Sequence, residues 1–138
     1  MKIKNKSFFT EEEIREVVRF VKPQNVSRFS VKVRECRGGY SGWFCHSWGN
    51  NGRMEPEVIA SVSRSISFPH HRKMHGAYLS FDLYNLKEIL VMLLAHELRH
   101  FWQFKIPKGW RVWRAKGQYS ERDADAYALH KVREWRRR

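Results

Sequence analysis

The sequence predicts an α+β fold: a small, mostly antiparallel sheet with an N-terminal helix and two C-terminal helices packed against one of its faces. Three features of the sequence predict it. Apolar residues recur at helical spacing near the N-terminus, the middle of the chain alternates with a period of two, and the C-terminal third returns to longer helical patterns. With 138 residues and 42% hydrophobic content, the chain is expected to form a single domain over residues 1–138. It is long enough for one core and too short for two.

Thr10 followed by Glu13 makes a capping box, and Ile14, Val17, Val18 and Val21 share a helical face until Pro23. A first helix over about 10–22 follows. From Val26 to Val33, Phe29, Val31 and Val33 alternate with Arg28, Ser30, Lys32 and Arg34, the period of a half-buried strand. After the glycines at 38 and 39, a short strand is expected around Trp43 to Trp48, ended by Asn50-Asn51-Gly52. Val58, Ala60 and Val62 alternate with Glu57, Ser61 and Ser63 as a further strand. "FPHHRKMHG" reads as a loop, and "AYLSFDLYN" as a strand or extended edge.

Leu86 to about Lys105 forms the longest apolar helix, stopped by Pro107 and Gly109. A basic, tryptophan-rich connector leads to a last helix from Ser120 to about Arg136. The apolar run Ile89 to Ala95 is too short to span a membrane, which takes roughly 20 residues, and the N-terminus lacks the apolar segment of a secretory signal. A cytoplasmic protein is the expectation, with Cys36 and Cys45 as reduced thiols.

That run ends in His96, Glu97 and His100. Charged or polar groups on so apolar a helix need partners, because burying an unpaired one costs several kcal/mol, on the order of a lost ion pair. In HExxH on a helix the two histidines lie about 40° apart, so both imidazoles reach one metal ion, and the glutamate beside them can hold a water. A catalytic zinc takes three protein ligands and keeps one position open. The metzincin spacing would put glycine and histidine where Gln103 and Ile106 stand, so an acidic ligand on a second helix is preferred. "SERDADAYA" offers Glu121, with Asp125 one turn on and small residues at Ala124 and Ala128 that let two helices approach. Asp123 and Asp125 are rival third ligands, and His130, more than two turns further along, is a weaker one.

HExxH followed by Glu-x-x-Ala-Asp at Glu121, Ala124 and Asp125 resembles the gluzincin zinc metallopeptidases, and the small size is most like their minimal, minigluzincin type. The resemblance covers about residues 86–128. It implies zinc bound by His96, His100 and Glu121, Glu97 as general base, and Asp125 supporting a ligand histidine. The implied activity is hydrolysis of a peptide or protein substrate, expected to pair with the edge segment Tyr78 to Tyr84. Tyr119, Tyr127, His70, His71 and His75 are candidates to steady the oxyanion.

Lysine and arginine number 27 against 14 acids, a formal charge of +13, which attracts polyanions without specifying one. Trp110, Trp113 and Trp135 interleave with Arg111, Arg114, Arg133 and Arg136, a pattern suited to nucleic acid or simply to packing the last helix. The alternative function is therefore a nucleic-acid-binding protein with a structural zinc, or a protease acting on DNA-bound proteins. Cys36, Cys45 and His46 are a weaker candidate for a second metal site. A further possibility is a latent enzyme whose tail, "REWRRR", covers the cleft.

Overall fold

The computed structural model describes residues 1–45, 55–73, 80–105, 109 and 118–138. His46, His75, the start of "AYLSFDLYN", and Trp110, Arg111, Trp113 and Arg114 lie outside the described residues, as does the side chain of Tyr119. Among the described residues the fold is α+β, with three helices, one mixed sheet and one antiparallel hairpin. In chain order the elements are β1 (Lys2–Lys6), α1 (Glu11–Val21), β2 (Ser30–Glu35), β3 (Tyr40–Cys45), β4 (Glu57–Val62), β5 (His70–Lys73), β6 (Ser80–Leu83), α2 (Leu86–Lys105) and α3 (Gln118–Arg137).

The main sheet has the order β1-β2-β4-β3. The β1–β2 and β2–β4 pairs are parallel and only β3–β4 is antiparallel, which corrects the expectation of a mostly antiparallel sheet. Two features account for this: β3 lies outside β4, so that β4 pairs with β2 in parallel, and the sheet gains β1, which the sequence does not announce. Its five residues include one apolar side chain, Ile3, packed against the core, enough for an edge strand that buries one face at one point. With β1 in place, α1 becomes the crossover that a parallel pair requires.

Helix α1 starts as its capping box dictates, Thr10 Oγ1 accepting from the Glu13 amide at 3.1 Å and the Glu13 carboxylate accepting from the Thr10 amide at 2.9 Å. Ile14, Val17, Val18 and Val21 are buried, each contributing roughly 1.5–3 kcal/mol by transfer from water. Strand β2 begins four residues later than expected because Asn25 and Arg28 take positive φ angles of 65° and 57°, which interrupt an extended chain. His70 and His71 belong to β5, paired with β6 across Asp82 and Leu83, rather than to a loop.

Inward-facing Val31, Val33, Val58, Ala60 and Val62 are fully buried. Helix α2 packs on β3 and β4 and on α1, and α3 packs on α2. Enclosed by neighbours, α2 buries every residue from Glu88 to Leu98, and this is why its sequence is apolar all round instead of along one stripe. Small side chains at Ala124 and Ala128, 0% and 1% exposed, bring α3 close to it. Among the described residues no helix is long and apolar enough to cross a membrane.

Candidate metal centre

Asn85 caps α2, its side-chain oxygen accepting from the Glu88 amide at 2.9 Å. The helix then delivers His96 and His100 one turn apart, both 7% exposed. Their Nε2 atoms stand 3.2 Å from each other. Glu121, in the first turn of α3, places Oε2 3.0 Å from His96 Nε2 and Oε1 3.0 Å from His100 Nε2. These three are the one group of metal-competent donors found together among the described residues.

The donor set suits zinc. Ligands about 2.0–2.1 Å from a tetrahedral ion stand roughly 3.3 Å apart, close to the 3.2 Å between the two Nε2 atoms, each of which has one Glu121 oxygen 3.0 Å away. Two imidazoles and one carboxylate leave a fourth position for water or substrate, as catalytic zinc sites do.

Each histidine is held from behind. His100 Nδ1 lies 2.9 Å from Gln103 Oε1, and the Gln103 amide nitrogen donates to the Ser120 carbonyl at 3.0 Å and to Asp123 Oδ2 at 2.9 Å. Because that nitrogen is spent on two acceptors, Oε1 is the acceptor toward His100. Nδ1 is therefore the donor to Gln103, and Nε2 is directed at Glu121 and His96. Gln103 is 0% exposed. The signal for it was its place three residues after His100, a polar side chain on the same helical face.

His96 Nδ1 lies 2.9 Å from Asp125 Oδ1, within ion-pair reach although not aligned as a hydrogen bond. Burial opposes the charged imidazole, but contacts with Asp125 and Glu121 outweigh it and raise the His96 pKa to about 9. The same histidines hold the Glu121 carboxyl well below the usual carboxylate range. Arg72 of β5 reaches Asp125 Oδ1 at 3.4 Å and the Tyr40 hydroxyl at 3.4 Å, tying the hairpin to this corner.

Glu97 is 6% exposed, with Oε2 3.8 Å from His96 Nε2. Burial pushes its pKa up, and the neighbouring histidines pull against that. Strand β3 passes directly over it: a Cβ on Gly42 would stand 3.0 Å from Glu97 Oε2 and 3.1 Å from its Cγ. Neither Gly42 nor Tyr40 is conspicuous in the sequence as a site residue.

The rival ligands are placed elsewhere. Asp123 is held by Arg99 through contacts of 2.7 and 3.1 Å as well as by Gln103. His130 pairs with Glu134 at 2.8 Å on the surface. Tyr127, an oxyanion candidate, donates to the Val21 carbonyl at 2.6 Å, and burial raises its pKa to about 12. His70 meets the Tyr40 hydroxyl at 2.9 Å and His71 meets Asp82 at 2.9 Å.

Cys36 follows β2 beside Val62, whereas Cys45 pairs opposite Glu57 at the other end of β4. The five-residue offset, about 16 Å of strand, separates these thiols and removes the second metal site. The C-terminal tail does not reach the centre. Arg136 pairs with Glu88, and Arg138 with Glu16 at 2.6 Å while lying over Trp135. Trp135 itself is buried against Phe20.

No family model, curated protein or solved structure matches the chain.

Proposed function

We propose that the protein is a gluzincin-type zinc metallopeptidase, with His96, His100 and Glu121 as ligands and Glu97 as general base. The supporting observation is a cluster of His96, His100 and Glu121 whose ligand atoms lie within 4.8 Å of one another, with the buried Glu97 carboxylate 3.8 Å from His96 Nε2. Bound there, zinc would supply a Lewis acid that lowers the pKa of a water and polarises the substrate carbonyl.

Glu97 takes a proton from the attacking water and passes it to the amine nitrogen as the C–N bond breaks. Gln103 and Asp125 keep the two imidazoles oriented throughout. A peptide substrate is positioned by β3, the last strand of the sheet, which comes closest to Glu97 at Gly42. An extended chain added to that edge lies across the glutamate, and this replaces the segment Tyr78 to Tyr84 as the substrate strand.

The test is elemental mass spectrometry on untagged wild type and Glu121→Ala, paired with hydrolysis of an unfolded protein substrate by wild type and Glu97→Gln. One zinc per chain in wild type, clear loss in Glu121→Ala, and a zinc-loaded but inactive Glu97→Gln are expected. A metal-free wild type would overturn the reading. If Glu97→Gln retained full function with its zinc, the metal would be structural.

A further inference from the structure

The side of the main sheet turned away from α1 and α2 is rich in cations. Because Ile3, Val31, Val33, Val58 and Ala60 face the core, their neighbours Lys2, Lys4, Lys6, Lys32, Arg34, Ile59 and Ser61 face outward. The register sets Lys4 beside Lys32 and Lys6 beside Arg34, and Ile59 beside Trp43. Same-face positions recur every ~6.6 Å along a strand, so Lys2, Lys4 and Lys6 form a row. Five cations thus share this face with one acid, Glu57, which pairs with Lys4 at 3.3 Å.

At the opposite edge of the sheet, on β3, Trp43 is 42% exposed, and the Arg34 guanidinium reaches across β4 to lie 4.9 Å from its ring centroid. Arg34 Nε also donates to Ser61 Oγ at 2.7 Å, which fixes the guanidinium across the sheet. An exposed indole flanked by a pinned arginine, on the same sheet face as a row of lysines at the far edge, supplies both things a single-stranded nucleic acid requires. The ring offers a face for a base, and the cations match the phosphates.

We propose that this outer sheet face binds single-stranded nucleic acid, with Trp43 stacking on a base and Lys2, Lys6, Lys32 and Arg34 against the phosphates. The inference goes beyond hydrolysis and is independent of it, because the metal-competent cluster lies on α2 and α3, across the sheet. It also moves nucleic-acid contact away from Trp135, which is buried.

Fluorescence anisotropy of a labelled single-stranded 20-mer, titrated with the full chain over a range of salt concentrations, tests it. The Lys2→Gln, Lys6→Gln, Lys32→Gln triple variant is expected to reduce the slope of log affinity against log salt by about 2, at roughly 0.7 per lost phosphate contact. Trp43→Ala is expected to weaken binding about 5- to 150-fold, the range for one stacked base, without changing that slope. A control triple of equal charge, Arg19→Gln, Arg133→Gln, Arg137→Gln, should leave the slope as in wild type. Circular dichroism on each variant ensures that folded proteins are compared. An equal loss in the control triple, an unaffected Trp43→Ala, or a duplex binding as tightly as the single strand would reduce the interaction to net charge and overturn the proposal. So would binding to anionic phosphatidylserine vesicles that the oligonucleotide does not displace.

Discussion

Glu88 and Glu97 are both buried on α2, 4% and 6% exposed, yet their surroundings differ in kind. Glu88 receives a two-pronged guanidinium from Arg136 at 2.7 and 2.9 Å and the Tyr84 amide at 2.9 Å. Burial alone would raise its pKa, and these donors more than reverse that, leaving it lowered. Among the described residues Glu97 meets no guanidinium at hydrogen-bond distance. His96 Nε2 lies 3.8 Å from it, and its pKa is raised by burial. One carboxylate is spent on joining α3 to the start of α2; the other, among the described residues, accepts no hydrogen bond and stands beside three metal-competent residues. The filled lone pairs of Glu88 serve the fold, whereas Glu97 is the proposed general base.

Substitution at the two positions should separate these roles. Glu97→Gln is expected to lower kcat/KM on an unfolded protein substrate by about 10²- to 10⁴-fold, the range for a general base, while metal content and melting temperature stay near wild type. A melting temperature that fell with the activity would show that Glu97 is as structural as Glu88.

Gln103→Ala sharpens the same contrast from behind the cluster. Losing the acceptor that fixes the His100 tautomer should weaken zinc affinity about 10- to 100-fold, as for other residues that orient metal ligands, measured by competition with a chromophoric chelator. Wild-type affinity in this variant would mean that the helix alone orients His100.

Glu88→Gln is expected to cost about 1–3 kcal/mol of stability, the scale of charge-assisted hydrogen bonds lost while the arginine keeps part of its solvation. Denaturant midpoints measure this, and zinc content per folded chain should stay unchanged. The smallest effect concerns pH. Because the folded-state pKa of Glu88 lies below its unfolded value, its contribution is present above the unfolded pKa of about 4.3 and is lost as pH falls through the folded one. Wild type should therefore lose more stability than Glu88→Gln on acidification below about pH 4.3. Parallel curves for the two proteins would remove Glu88 from the acid response.

Local signals were legible wherever a short segment determined its own conformation. Thr10 and Glu13 made the start of α1 readable, the period of two marked β4, and the i,i+4 spacing of His96 and His100 placed both imidazoles on one face. Strand β1 was not legible, since lysines dominate a segment that buries only Ile3. Hidden with it was the parallel pairing, because strand direction depends on a crossover between segments and leaves no local pattern. Gln103 and Gly42 were hidden for a related reason. A glutamine in a helix and a glycine in a strand are ordinary until the positions of Ser120, Asp123 and Glu97 are known.

The sequence alone therefore determined which helix holds the paired histidines, that Glu97 stands beside them, that this helix is the longest apolar one, and that the protein is strongly basic. Tertiary structure decided which acid meets those histidines, that Asp123 is occupied by Arg99 while Glu121 is not, that Glu88 is neutralised and Glu97 is not, and that Lys2, Lys4, Lys6, Lys32, Arg34 and Trp43 share a face. The first group follows from periodicities of two and 3.6 residues, which act within one element. The second depends on contacts between residues tens of positions apart, where burial and the choice of partner set the energy and no spacing records the outcome.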